Sequence, residues 1–250
     1  APASPHPAIG PSSPCQPGIH TIIWFSREIE PTTGKLNELK RLPNKDLRDE
    51  ARKYCKQQLV CIGGNGRSAG FAPALRSPKK RRTLLKHLSH LLDKHGYDGV
   101  DLNWEYPGYS LQRGSYSADD LVEAEYTALR AFVVEAAAAL HPRVLTLAYY
   151  PDGRQEAQLA PIASHLAAMH AMVYDAPHRH STYDFAVRAA RQAAALLPAH
   201  KVTLGVPFYG RHMTTGEWRT YEDLAKLAEV RRNTSVDEAD GCKAGRPAPS

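Results

Sequence analysis

The sequence predicts an α/β fold on a parallel sheet, either a (β/α) barrel or a doubly wound sheet, on the strength of three observations. Short apolar runs rich in β-formers alternate one for one with helix-patterned segments. These runs are apolar throughout, as strands buried on both faces must be, rather than alternating apolar with polar. The length of 250 residues matches one barrel, so one core is expected.

The elements follow in order. Residues 1–18, with Pro2, Pro5, Pro7, Pro11, Pro14 and Pro17, cannot pair in a central strand and read as a tail or linker. Strands are predicted at Ile19–Phe25, Gln58–Ile62, Gly99–Trp104, Val144–Tyr149, Ala168–Tyr174 and Val202–Phe208. Helices are predicted near Lys45–Tyr54, Lys79–His95, Ala118–Leu140, Gln155–Ala167, Tyr183–Leu197 and Thr220–Glu229. The third helix is the best marked, with Ser117 and Asp120 spaced as a capping box and His141-Pro142 at its end. Strand, helix, strand in strict alternation means right-handed crossovers and parallel pairing. The domain reading is therefore a tail at 1–18, a fold at 19–230 and a polar tail at 231–250.

Composition narrows the function. Hydrophobic residues at 42% and charged residues at 23% are ordinary for a globular chain, and no apolar run approaches the ~20 residues of a membrane span. No membrane association is expected. The net charge of +6 and the cluster Lys79, Lys80, Arg81, Arg82, Lys86 could attract a phosphate polymer. That cluster opens a helix whose apolar face is Leu84, Leu85, Leu88, Leu91 and Leu92, and no aromatic residue interleaves it. A solvated face is the reading, and no nucleic acid is expected as a partner.

Cys15, Cys55, Cys61 and Cys242 show neither a CxxC pair nor zinc-module spacing, so no metal is implied. Cys61 lies in an apolar strand and reads as a buried thiol, while any disulfide pairing stays open. Dinucleotide and nucleotide glycine motifs are absent, Gly63-Gly64-Asn65-Gly66 being too irregular to count. The start at Ala1 fits a mature secreted form or an excised fragment, and Asn233-Thr234-Ser235 is a sequon usable only in a secretory compartment. The expected localisation is extracellular.

The chemistry concentrates in Tyr97–Pro107, YDGVDLNWEYP, where Asp98 precedes a row Asp101, Asn103, Glu105 spaced by two. On a strand that spacing places all three on one face. A row of carboxylates inside a barrel costs several kcal/mol of hydration unless paired, so it is rare in a purely structural strand. Like charges held close raise the pKa of some members and let one carry a proton near neutral pH. Glu105, nearest the carboxyl end where barrel enzymes keep their sites, is the candidate acid.

DGVDLNWEYP resembles the DGxDxDWEYP signature of family 18 glycoside hydrolases, the chitinases and related endo-β-N-acetylglucosaminidases. The resemblance extends from His20 to about Leu227: Cys61-Ile62-Gly63-Gly64 stands where the family has SxGG, Met172-Val173-Tyr174-Asp175 where it has MxYD, and Phe208-Tyr209-Gly210-Arg211 at the close of the seventh strand. It implies an eight-stranded TIM-type (β/α) barrel whose first and eighth strands are not identifiable in this chain, leaving exposed edges at Ile19–Phe25 and Val202–Phe208.

The resemblance further implies substrate-assisted retaining hydrolysis of β-1,4-linked N-acetylglucosamine polymers, with chitin or its oligosaccharides as partner. Glu105 would be proton donor; Asn103 and Asp101 would be its strand partners and Tyr174 would hydrogen-bond the acetamido group. Asp175, Tyr209, Arg211, Met172 and Gly64 would contact substrate, and no metal or organic cofactor has a role. Asn103 replaces the family Asp, which weakens the charge stabilisation and is expected to move the pH optimum downward. Cys61 replaces the family serine and loses a hydroxyl to the inner Asp. Trp104 and Tyr106 read as packing residues, and His178 and His180 as solvated loop histidines. A sugar-binding lectin on the same fold and an endo-β-N-acetylglucosaminidase acting on N-glycans are the alternatives; a monomer is expected.

Overall fold

In chain order, the computed structural model places β1 (Thr21–Arg27), α1 (Lys45–Arg52), β2 (Gln57–Gly63), α2 (Phe71–Leu75), α3 (Pro78–His95), β3 (Gly99–Asn103), β4 (Tyr109–Ser110), β5 (Ser115–Tyr116) and α4 (Asp119–Leu140). There follow β6 (Val144–Tyr149), α5 (Arg154–Leu159), a 3-10 turn (Ala160–His165), β7 (Ala168–Ala171), α6 (Tyr183–Leu196), β8 (Val202–Leu204), β9 (Tyr209–Arg211), β10 (Trp218–Thr220) and α7 (Tyr221–Ala225). The structure describes residues 19–37, 42–110, 113–177 and 179–225. The expected tails at 1–18 and 231–250, Cys15, His178, Cys242 and the sequon at Asn233 lie outside the described residues.

All six predicted strands are present, and their order in the sheet is β1-β2-β3-β6-β7-β8. The pairings β1 with β2, β2 with β3 and β3 with β6 are parallel, as strict alternation requires. The series is open among the described residues, β1 pairing only with β2 and β8 only with β7.

The chain divides into two compact units, Ala1–Tyr149 with Gln158–Met169, and Tyr150–Ala157 with His170–Ser250. In the first unit, β2, β3 and β6 are almost wholly buried. Leu84, Leu88, Leu91 and Leu92 of α3 and Tyr126, Leu129, Phe132, Val133 and Ala136 of α4 are buried with them, α4 packing on both β6 and α3. The apolar stripe predicted for α3 is right except that Leu85 is only half-buried. Ser77 caps α3 by accepting from Lys80 N–H, Pro78 opens its first turn and Gly96 ends it at φ 69°. Gly99 lies so close to β6 that a Cβ there would sit 2.0 Å from Val144 O, so only glycine fits.

In the second unit α6, capped by Thr182 to Phe185 N–H, buries Phe185, Ala189 and Ala193. Gly205 N–H donates to Ala171 O at 2.7 Å, joining the ends of β8 and β7.

Four expectations about element ends need correction. The strand predicted to reach Tyr174 stops at Ala171, because the following chain turns and Asp175 takes the left-handed conformation, φ 59°. The strand predicted to reach Phe208 stops at Leu204; Gly205 makes the last bond to β7, and Pro207 beyond it has no N–H to give. The capping box does not form: Ala118 is the N-cap with no side-chain bond, and Ser117 Oγ instead accepts from Arg113 Nη2 at 2.7 Å. Finally, the helix predicted over Gln155–Ala167 tightens at Pro161 into the 3-10 turn, since proline cannot supply the next α-helical donor.

Candidate active site

In the first unit the row from the sequence is assembled at the carboxyl end of β3. Asp101 and Asn103 are buried strand residues, and Glu105, two residues past the strand end, is half-buried. Asn103 Nδ2 donates to Glu105 Oε1 at 3.1 Å, whereas Asn103 Oδ1 is buried with no hydrogen-bond partner among the described residues. Thr146 Oγ1 of β6 donates to Asp101 Oδ1 at 2.7 Å. Asp101 thus keeps a hydroxyl donor although Cys61 stands where the family has serine.

Burial pushes the Cys61 thiol well above its usual range, and the neighbouring Asp101 and Glu105 carboxylates add to that. The thiol is therefore neutral, and it is free and buried, a buried thiol being what the sequence predicts. Cys55, by contrast, is disulfide-bonded.

The backbone around Glu105 is fixed from two sides. Its N–H donates to Ser68 Oγ at 2.9 Å, and that hydroxyl in turn reaches Gly64 O at 3.1 Å, with Asn103 O at 3.4 Å as a second acceptor. Gly64 N–H donates to Asn103 O at 2.8 Å, and Gly63 leaves room for this approach: a Cβ there would lie 2.3 Å from Asn103 O. Beyond Glu105, Gly108 N–H donates to the buried Glu125 carboxylate of α4 at 2.6 Å, pinning the loop. Trp104 is buried and stacks on Phe71 with centroids 5.2 Å apart, the packing role the sequence assigns it.

Asp98 does not join the row. It lies before β3 and accepts from Gln58 N–H at 2.7 Å while pairing with Arg52, which ties the amino end of β3 to β2 and α1.

In the second unit, Met172 and Val173 are buried behind the loop that carries Tyr174 and the exposed Asp175. Ser181 Oγ donates to Val173 O at 2.9 Å, and Ala176 N–H to His180 O at 3.1 Å, which closes the loop. Arg211 Nε donates to Asp175 Oδ1 at 2.6 Å. Arg211 and Tyr209 are set by the β9–β10 hairpin, in which Arg211 faces Trp218 and Tyr209 faces Thr220.

Burial raises the Tyr209 hydroxyl above its usual range, and its hydrogen bond to Asp175 adds to the shift. The bond to Asp175 likewise raises Arg211. His180 corrects an expectation: it is 2% exposed, not solvated, and stacks on the Tyr209 ring at 5.2 Å with Tyr174 edge-on to that ring at 6.3 Å. Adjacent Arg179 suggested solvent, but the loop turns the imidazole inward.

Sequence reasoning missed Ser68 and Thr146. Thr146 carried a signal, a lone aliphatic hydroxyl within the apolar run VLTLAY; Ser68 carried none beyond its glycine-rich surroundings. Among the described residues no group of three or more His, Cys, Asp or Glu side chains is placed to hold a metal, and no helix is long and apolar enough to cross a membrane.

The chain is 28% identical over 231 residues to Chitinase A1 of Niallia circulans, covering 78% of this chain and 32% of that protein. It is 31% identical over 186 residues to chitotriosidase-1 of Mus musculus, covering 62% and 39%. The chain therefore spans well under two thirds of these relatives. Among solved structures, the chitinase domain of the spore coat protein CotE from Clostridium difficile superposes with a TM-score of 0.67 at 20% identity, over 91% of this chain and 73% of that one. A chitinase from Rhizomucor miehei gives 0.65 at 22%, over 82% and 74%. These likenesses show the α/β barrel type of fold. The model of the glycosyl hydrolases family 18 matches residues 25–243, and the chain belongs to that family.

Proposed function

We propose that the chain carries the catalytic region of a chitinase-like hydrolase that cleaves β-1,4-linked N-acetylglucosamine polymers with net retention. The observation that carries this reading is the Glu105 carboxyl held against Asn103, whose buried Oδ1 is left with an acceptor site open. Glu105 protonates the glycosidic oxygen, and the carbonyl oxygen of the sugar's own acetamido group attacks the anomeric carbon. Asn103 Oδ1 accepts the acetamido N–H and so orients that carbonyl. Water then opens the oxazolinium ion as the ionised Glu105 takes its proton. Asp101, satisfied by Thr146, backs the row from below.

Tyr174 and Asp175 keep the roles that the resemblance implies, binding the acetamido group and the sugar. Tyr209, Arg211, Met172 and Gly64 belong with substrate binding on the same ground. A tobacco class V chitinase whose solved structure is a complex with NAG4 lends support to a chitooligosaccharide as ligand. The disulfide-bonded Cys55 supports a secreted protein, since such bonds persist in oxidising compartments.

One observation favours a second reading, a lectin on the same fold: Asn103 carries no charge to balance the oxazolinium ion. A fluorogenic chitooligosaccharide assay on the parent and on Glu105→Gln, with chitin retention measured in parallel, separates the two. For the enzyme, the parent releases fluorophore and the variant loses roughly 10²–10⁴-fold in kcat. Retention by both proteins with no release from the parent assigns the lectin.

A further inference from the structure

Arg67 is a half-buried cation on the turn after β2, and its charge reaches Cys61 beside the Asp101 row. Its guanidinium lies 4.9 Å from the centroid of the Phe25 ring, and Nη1 donates to Ser26 Oγ at 3.0 Å. Ser26 is fully buried, whereas Phe25, at the end of β1, is 50% exposed. Gly64 underlies the same ring, since a Cβ there would meet Phe25 Cζ at 2.3 Å.

Among the described residues no carboxylate forms an ion pair with Arg67, whose polar partner is the Ser26 hydroxyl. The neighbouring Ser68 holds Glu105 N–H, so this cation sits on the same turn that anchors the candidate acid. A guanidinium fixed on an aromatic face and tied to a buried hydroxyl has already lost its rotamer freedom. Pairing it with an anion costs less than ordering a free arginine.

We propose that Arg67, laid on Phe25 and tied to Ser26, is a specificity-determining cation that takes the carboxylate of an acidic amino-sugar unit bound at the carboxyl ends of β1 and β2. Its free guanidinium edge offers the forked donor geometry that carboxylates match. The same charge repels a unit whose acetamido group has been removed to leave an ammonium, so partly deacetylated chains are poor ligands. The inference rests on the reading of these strand ends as a glycan site and names which glycan the site favours.

The test uses the full chain in the Glu105→Gln background, so that ligands bind without turnover, with Arg67 intact, Arg67→Gln or Arg67→Lys. Calorimetry at low and high salt compares a neutral N-acetylglucosamine tetramer, a glucosamine tetramer, and an alternating tetramer of N-acetylglucosamine and its lactyl-ether acid. With Arg67 intact, the acidic tetramer binds roughly tenfold tighter than the neutral one at low salt, the glucosamine tetramer binds weakest, and the spread narrows at high salt. Arg67→Gln removes the spread and Arg67→Lys keeps part of it.

Equal binding of neutral and acidic tetramers, or a preference that survives Arg67→Gln, overturns the proposal. Should Arg67→Gln lose its folded circular dichroism, the salt response of the Arg67-intact protein and of Arg67→Lys decides, and a salt-insensitive preference overturns it. Hydrolysis of the neutral tetramer by the parent is read alongside. Turnover without an acid preference sinks the role of Arg67 alone, and an acid preference without turnover sinks the hydrolase reading alone.

Discussion

At Asn103 a single amide stands where the family has a carboxylate, and its placement shows what the exchange alters. Nδ2 faces Glu105 as a donor and Oδ1 stays open, so the residue can orient a substrate N–H but cannot share a proton with its neighbour. Asn103→Asp puts a second negative charge beside Glu105, and like charges so close do not both ionise. The expected outcome is a pH–rate profile whose alkaline limb moves upward by about one pH unit. A profile that superposes on the parent's rejects the coupling. Cys61 supplies a second check on the same site. Its thiol is buried against Asp101 and held neutral, so a thiol-alkylating reagent at mildly alkaline pH leaves it unmodified in the native protein and labels it once the chain is unfolded. Mass spectrometry of the labelled peptide reads both states, and labelling of native protein at the unfolded rate contradicts the burial.

Among the elements, α5 carries a cost. Glu156 is 0% exposed; one of its oxygens accepts from Gly153 N–H at 2.8 Å and the other has no hydrogen-bond partner among the described residues. Burial raises its pKa above the ordinary glutamate value, outweighing the hydrogen bonds to its own backbone and to Gly153 that pull it down. The folded state therefore holds this proton to higher pH than the unfolded chain does. The stability it contributes is complete below the unfolded glutamate pKa and is lost as pH rises through the folded one. Glu156→Gln keeps the shape and cannot ionise, so it should match the parent's Tm at pH 4 and exceed it at neutral and alkaline pH. A Tm difference independent of pH contradicts this assignment. Element identity was legible in the sequence because the apolar runs are short and unbroken. Element ends were less so: Asp175 adopts a left-handed backbone that no pattern announced, and the hydroxyl of Ser117 went to Arg113 rather than to the first turn of α4.

For the whole molecule the open sheet matters most. Among the described residues β8 pairs only with β7, and Val206 and Phe208 just beyond it are 72% and 78% exposed. An unpaired strand edge flanked by exposed apolar side chains is a template for association. The 250-residue chain in isolation should self-associate with rising concentration, and Val206→Lys combined with Phe208→Ser should suppress it. Static light scattering across a dilution series reads the outcome, and a parent that stays monomeric throughout contradicts it. The expected monomer thus stands or falls on this edge.

By itself the sequence determined the parallel α/β plan, the six strands, the buried thiol and the row Asp101, Asn103, Glu105, because burial on two faces and spacing by two are local properties of a chain. Only the tertiary structure decided how the row is held. Ser68 and Thr146 reach Glu105 and Asp101 from strands and loops distant in sequence, and hydrogen bonds between such segments leave no periodic trace. The same holds for Arg67 on Phe25 and for His180 on Tyr209, where an exposed-looking charged or polar residue is turned inward by its loop. Asp98 makes the converse point. It belongs to the same acidic run as Glu105, yet pairing with Arg52 and Gln58 assigns it to the scaffold, since its place before β3 sets it at the amino end of the strand and away from the carboxyl end where the row is assembled.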